Sequence, residues 1–292
     1  VTLTDDLFRR DLTINSMAVA VEEWVNFRHS KSLDLLVDPY NGHDDLFTGT
    51  IKHTSKFFTD DPVRALRAVR LANRYHFAIH IDTIFLIRDM VESGELDHLT
   101  PERIWLEVEK VFKDSTNIGQ FFYACGELGI IDKIFPDVSK LFIDDEDLLL
   151  FSESGSDKME YAFLAMMNVN ESDYVEHFCE VLKIPNNYLN LFKDYIKVEF
   201  FFNGGSGFAL DIVNLLERLN AYQCPIALQR VCHYYNTIQG THTEESQILF
   251  DALSKTTDIG FKDLTSKEQE TLRGQKIGEA IHLKRIMVLT GE

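Results

Sequence analysis

From Asp60 onward the apolar residues return every three or four positions, and that habit commits most of the chain to α-helix. The clearest case is "DDPVRALRAVRLANRY", with apolar residues at 63, 66, 69 and 71–72. Asp61 followed by Pro62 supplies an N-cap and a proline at the first helical position. "LTPERIWLEVEKVF" repeats the device with Thr100 and Pro101. "IGQFFYACGELGIIDKIFPDV" reads as a helix closed by glycines and a short helix before Pro136. After residue 141 the acidic "IDDEDL" and "SESGSD" mark a linker or an exposed loop. Helices are then predicted over 157–168, 172–183, 186–202, 209–219, 225–238, 244–254 and 266–289, with "NGGSG" at 203–207 as a break. Only residues 17–55 read otherwise. There "EEWVNFR", "LDLLVD" and "GTIKHTS" are strand-like around the turn "DPYNG". The expected fold class is mainly α.

With 45% hydrophobic residues among 292, the chain can bury one large core or two to three small ones. No apolar run approaches the ~18–20 residues of a membrane-spanning helix. Four cysteines without CxxC spacing suit a reduced, cytoplasmic protein with mostly buried thiols. A net charge of -18 argues against a broadly basic nucleic-acid surface, but leaves room for a local basic strip.

Arg64, Arg67, Arg70 and Arg74 are spaced three, three and four apart, so they line one side of the predicted helix. One reading is a solvated charged face. Against it, no Asp or Glu follows Asp61 within the stripe, whereas surface helices usually alternate signs. Asp61 and Arg64 stand at i and i+3 across the helix start, a carboxylate acceptor beside a guanidinium fork. That pair matches the edge of cytosine or adenine, each with an amino donor next to a ring acceptor. Uracil and guanine carry a carbonyl in the amino position, which the carboxylate repels.

Nearer the start, "DDLFRRDLTINSMAV" sets two arginines, an aspartate, Thr13 and Asn15 before the apolar run Met17–Val21. Taken in order, "RRDLTINSMA", "DPYNGHDDL", "DDPVRALRAVRLA" and "GELDHLTPERIW" resemble successive motifs of the class II CCA-adding tRNA nucleotidyltransferases of bacterial type, relatives of poly(A) polymerase. The resemblance is specific over residues 5–141 and faint beyond. It implies the C-terminal remnant of an α/β nucleotidyltransferase head (1–58), a helical neck for nucleotide selection and RNA binding (59–141), and a helical body and tail (142–292). It assigns nucleotide binding to Arg10, and ribose recognition and pocket support to Asp11 and Asn15. Asp61 and Arg64 resemble the pair that reads the incoming base. Arg67 and Arg70 resemble arginines on the triphosphate. Asp38, Gly42 and Asp45 fit the family's flexible-loop motif. Asp60 stands where the family has Glu, a shorter acid for that place. By the same resemblance, "RRDLTIN" is a nucleotide-binding edge on the last helix of the head, and "SMAV" its buried side.

The implied activity is addition of CCA to tRNA 3′ ends from CTP and ATP, with Mg²⁺ as cofactor, tRNA as partner and a cytoplasmic setting. The family's glycine-rich turn and Asp-x-Asp metal ligands precede "RRD". This sequence opens on Val1 without them, so they are expected upstream, and the 292 residues alone are expected to be inactive in nucleotide transfer. Asp145-Glu146-Asp147 is Asp-x-Asp in form only, and His43-Asp44 is a chance dipeptide within the loop motif. The His and Asp set of a metal phosphohydrolase domain is missing after residue 141. His76 and His80 lack an acidic co-ligand and are expected to pack or lie exposed. Two rival readings stand: a bacterial poly(A) polymerase, which adds only A, and a non-catalytic RNA-binding module.

Overall fold

The computed structural model describes residues 2–30, 32–114, 117–134, 158–167, 172–204, 207–240 and 243–291. It divides into two compact units, Val1–Pro185 and Asn186–Glu292. The expected change from neck to body at 141/142 lies outside the described residues. So do "IDDEDL", "SESGSD" and Asp145-Glu146-Asp147.

In the first unit α1 (Leu3–Phe8) starts at a capping box, in which Thr2 and Asp5 satisfy each other's backbone amides. "RRDLTIN" is not on a helix, contrary to expectation. Leu12 is extended, forms an antiparallel bridge with His53, and leads into a 3₁₀ turn, Thr13–Asn15. Leu12 is fully buried and Ser16 is buried too, but Val21 is exposed. The apolar run Met17–Val21 is therefore not the buried face its composition suggests.

The strand reading of 17–55 is corrected in part. "EEWVNFR" folds as a 3₁₀ turn, Val21–Glu23, running into α2 (Trp24–Ser30). Leu33–Leu35 is another 3₁₀ turn, and Ala18 and Val37 meet only at an isolated bridge. β-Propensity is a fit to a pleated, half-buried surface, and among the described residues these segments join no sheet. After α3 (Gly42–Thr48), "GTIKHTS" does contain a strand, β1 (Thr50–Ile51).

α4 (Val63–Tyr75) begins where the sequence places it. The helix is entered from Asp61, whose backbone is extended and whose carboxylate accepts from the Val63 amide at 3.3 Å. It is followed by β2 (Ala78–Ile79), paired in parallel with β1, then α5 (Ile81–Glu92), α6 (Pro101–Asp114), α7 (Ile118–Glu127) and α8 (Ile131–Ile134). α4 packs on α6 and α7. Ala65, Ala68 and Ala72 bring the backbones close, while Leu66, Val69, Val108 and Phe121 fill the interface. Full burial of each of the larger side chains contributes roughly 1.5–3 kcal/mol. Further along, α9 (Lys158–Met167) packs on α6, and α10 (Ser172–Val181) follows.

The second unit is helical throughout its described residues: α11 (Asn186–Gly204), α12 (Ala209–Arg218), α13 (Pro225–Gln239), α14 (Thr243–Thr256), α15 (Ser266–Thr271) and α16 (Gln275–Thr290). α11 packs along α13, and α12, α14 and α16 pack on one another. The single helix expected over 266–289 is broken in two. Gly274 sits at φ 56°, ψ -129°, outside the regions open to side-chain-bearing residues, and the chain turns there.

Candidate functional site

The start of α4, the first turns of α6 and the "RRDLTIN" segment enclose an open cleft of about 640 Å³. Arg10, Asp11, Asn15, Asp61, Arg64 and Arg67 all line it. Arg103, Glu107 and Lys110 of α6 line it as well.

The cleft is organised by charge. Asp11 is nearly buried. Its Oδ1 accepts from the Leu12 amide at 2.9 Å and from Asn15 Nδ2 at 3.2 Å, and its Oδ2 accepts from Arg67 Nε at 2.8 Å. Arg67 NH2 reaches the same Oδ2 at 2.8 Å, which ties α4 to the segment after α1. Partial burial works against the Arg67 charge, but Asp11, Glu107 and Asp61 outweigh it and raise its pKa. Arg10 donates to Asp6 at 3.2 Å and to the Asn15 carbonyl at 3.1 Å. Arg64 donates to the Phe57 carbonyl at 2.5 Å. The Arg64 amide donates to the Asp61 carbonyl at 3.0 Å, but its guanidinium does not bond the Asp61 carboxylate, whose Oδ2 accepts from Arg103 NH2 at 2.7 Å. Partial burial pushes the Asp61 carboxyl up. Hydrogen bonds from Arg103 and the Val63 amide, with the charges of Arg103 and Arg64, together hold it below the ordinary carboxylate value.

Arg70 is the exception among the expected residues. It does not line the cleft. It is buried between α4 and α6, its Nε on Glu107 Oε2 at 2.7 Å. Glu107 also accepts from Lys110 at 2.6 Å, and Arg67 lies 4.0 Å away. A buried carboxylate needs such partners, and a buried guanidinium needs a carboxylate. Arg70 is thus a structural cation rather than a triphosphate contact. The fourth member of the stripe, Arg74, pairs with Asp114 at 2.6 Å near the far end of α4.

Five cationic side chains and three carboxylates line the cleft, a local positive excess on a chain of net charge -18. Such a local charge suits an anion, with carboxylate acceptors beside it. The α6 contribution was within reach of sequence reading. Arg103, Leu106, Glu107 and Lys110 recur at i, i+3, i+4 and i+7 in "TPERIWLEVEK", one helical face carrying three charges.

The loop motif buttresses the cleft from behind. Asp38 accepts from the amides of Gly42 and His43, both at 2.8 Å, at the head of α3. Thr13 Oγ1 donates to Asp45 Oδ2 at 2.6 Å. A Cβ on Gly42 would fall 2.1 Å from the Thr13 carbonyl oxygen, so only glycine allows α3 this close to the "LTIN" turn. These residues cross-link two motifs. Asp60 is exposed. His76 closes α4 in the left-handed conformation, and His80 caps α5. Among the described residues no group of three or more His, Cys, Asp or Glu side chains is placed to hold a metal ion. The cleft acids Asp11, Asp61 and Glu107 are each engaged by a cation and do not form a Mg²⁺ ligand set. No helix among these residues is long and apolar enough to cross a membrane.

Residues 1–52 match the poly A polymerase head domain family. The multifunctional CCA protein of Teredinibacter turnerae is 41% identical over 145 residues, 49% of this chain and 32% of that protein. That of Thioalkalivibrio sulfidiphilus is 28% identical over 338 residues, covering 99% of this chain and 78% of the relative. In the N-terminal matches the chain spans about a third of the length of its relatives. A solved CCA-adding enzyme in complex with CTP superposes with a TM-score of 0.62 at 21% identity, covering 100% of this chain and 69% of that one. The Thermotoga maritima CCA-adding enzyme complexed with tRNA gives 0.58 at 21% identity, covering 100% and 70%. These structures establish likeness of fold. On the sequence matches, the chain resembles bacterial multifunctional CCA proteins, closely over its N-terminal half and more weakly over its whole length.

Proposed function

We propose that this chain is the nucleotide-selecting and RNA-holding portion of a CCA-adding tRNA nucleotidyltransferase acting in the cytoplasm. Such an enzyme transfers CMP, CMP and AMP from CTP and ATP to the tRNA 3′ end and releases pyrophosphate. The supporting observation is the meeting of Arg10, Asp11, Asn15, Asp61, Arg64 and Arg67 in one cationic cleft. In this reading the head remnant covers 1–58, the neck 59–141, and the body and tail 142–292. Asp61 has about four acceptor positions, of which the Val63 amide and Arg103 take two. The rest are free to accept the amino group of cytosine or adenine, while Arg64, released from the Phe57 carbonyl, donates to the ring acceptor. Arg67 and Arg10 serve the triphosphate, and Asp11 and Asn15 the ribose. Mg²⁺ is the expected metal of such a transfer, and no step is assigned to it on these residues.

Binding of CTP, ATP, UTP and GTP to the 292-residue chain tests this. CTP and ATP should bind more tightly than UTP and GTP by a margin of about 1–3 kcal/mol, the worth of a bidentate base contact. Asp61→Ala should erase that margin, and Arg67→Ala should weaken all four alike. If Asp61→Ala weakens all four by one common factor, the base-reading role is wrong. The head match also suits a poly(A) polymerase, and a preference for ATP over CTP in the same titrations would favour that reading.

A further inference from the structure

The geometry points to Arg103 as a positioning residue for base selection, fixing the Asp61 carboxylate from the neighbouring helix. This rests on the reading of the cleft as a nucleotide site. Asp61 precedes α4 on an extended backbone, and the second torsion of an aspartate is broad and easily turned. Two contacts hold it: the Val63 amide on Oδ1, and Arg103 NH2 on Oδ2 at 2.7 Å. The first comes from its own helix, so only Arg103 ties it to α6. Arg64 is held by the Phe57 carbonyl and does not orient the acid.

The contact does two things. It fixes the plane of the carboxylate, and hence the direction of its remaining lone pairs. It also places a permanent positive charge on an acid that selects by being an acceptor. Partial burial pushes the Asp61 carboxyl up, and Arg103 offsets that push through both its hydrogen bond and its charge. The Arg103 side chain is itself half exposed, so its removal does not open the core.

The test is equilibrium binding of the four nucleoside triphosphates to the full chain carrying Arg103→Ala, Arg103→Lys, Asp61→Ala, or Asp61→Ala with Arg103→Ala, with thermal unfolding as a check on folding. Arg103→Ala should reduce the preference for CTP and ATP over UTP and GTP by about fivefold or more, the scale of coupling between residues in contact. Arg103→Lys keeps the charge without the fork and should restore part of the preference. With Asp61→Ala already present, Arg103→Ala should leave the ratio unchanged. A common loss for all four nucleotides would make Arg103 a phosphate contact and overturn the inference. So would a ratio change that persists without the Asp61 carboxylate. If Asp61→Ala abolishes discrimination and Arg103→Ala does not, the positioning role alone fails. If the unmodified chain shows no discrimination, the base-reading site fails and takes this role with it.

Discussion

In the first unit α4 and α6 meet across Arg67, Arg70, Glu107 and Lys110; in the second, α11 and α13 meet across Tyr195, Phe202 and Tyr235. The second pair closes on aromatic rings, with centroids 5.4 Å apart for Tyr195 and Tyr235 and 5.1 Å for Phe202 and Tyr235. Its polar tips are satisfied locally, as where Gln239 donates to the Tyr195 hydroxyl at 3.2 Å. The first pair also has an apolar seam, but its cleft side is a chain of ion pairs. Replacing buried ion pairs by apolar side chains often costs a protein nothing in stability. The ionic edge of α4 and α6 therefore makes little sense as a stability device. It makes sense as the wall of the proposed nucleotide site, where cations must be held in place while keeping capacity to face a ligand.

The largest test of this contrast is Glu107→Ala. It strands Arg70 in the core without its carboxylate and should destabilise the first unit by about 3–5 kcal/mol. The acid to compare in the other pair is the half-buried Glu199 of α11. Burial alone pushes the Glu199 carboxyl up, so Glu199→Gln should leave the second unit as stable or make it more stable at pH 7. Thermal and denaturant unfolding of both variants measure this. Equal losses would erase the distinction between the two helix pairs.

Acid should separate the units in the same sense. Burial pushes the Glu107 carboxyl up, but Lys110 and Arg70 prevail and hold it below the ordinary value of 4.5. Its folded pKa lies below its unfolded one, so its contribution is complete above 4.5 and is lost as pH falls through the depressed value. Glu199 has the opposite sign: its folded pKa is raised, it costs stability above that raised value, and the cost is relieved as pH falls toward 4.5. Amide exchange, corrected for intrinsic rates, should show α4 and α6 losing protection below pH 4.5 before α11 and α13 do. The reverse order would mean that other carboxylates dominate the acid response.

The smallest expected effect concerns helix caps, where the units should behave alike. Asp38→Ala removes the acceptor for two amides of α3, and Thr265→Ala breaks the capping box of α15. Each should cost about 1 kcal/mol, read as a shift in denaturant midpoint. A much larger loss for Asp38→Ala would show that the cross-link between "DPYNG" and "LTIN" supports the whole cleft.

Helix positions after Asp60 were legible because period and punctuation agree: Asp61-Pro62 and Thr100-Pro101 open helices where they should. The break at Gly274 was not legible, because the apolar spacing continues across it and a single glycine is tolerated in many helices. The strands expected before residue 50 did not form, and among the described residues those segments pair with no sheet.

For the site, the resemblance of successive motifs named the candidates. Six of the seven expected residues line one cleft: three on α4 and its entry, and three on the separate segment after α1. Only the tertiary structure decided their partners. Along α4 the arginine stripe has no acids after Asp61, and it reads as unbalanced. Its acids arrive from elsewhere: Asp11 from 56 residues before Arg67, and Glu107 from 37 residues after Arg70. Arg103 comes from 42 residues beyond Asp61. Ion pairing depends on distances of a few ångströms between side chains on different elements, which no periodicity within one helix encodes. That is why the sequence could place Arg70 on the right helix, and only packing could turn it from the cleft into the core.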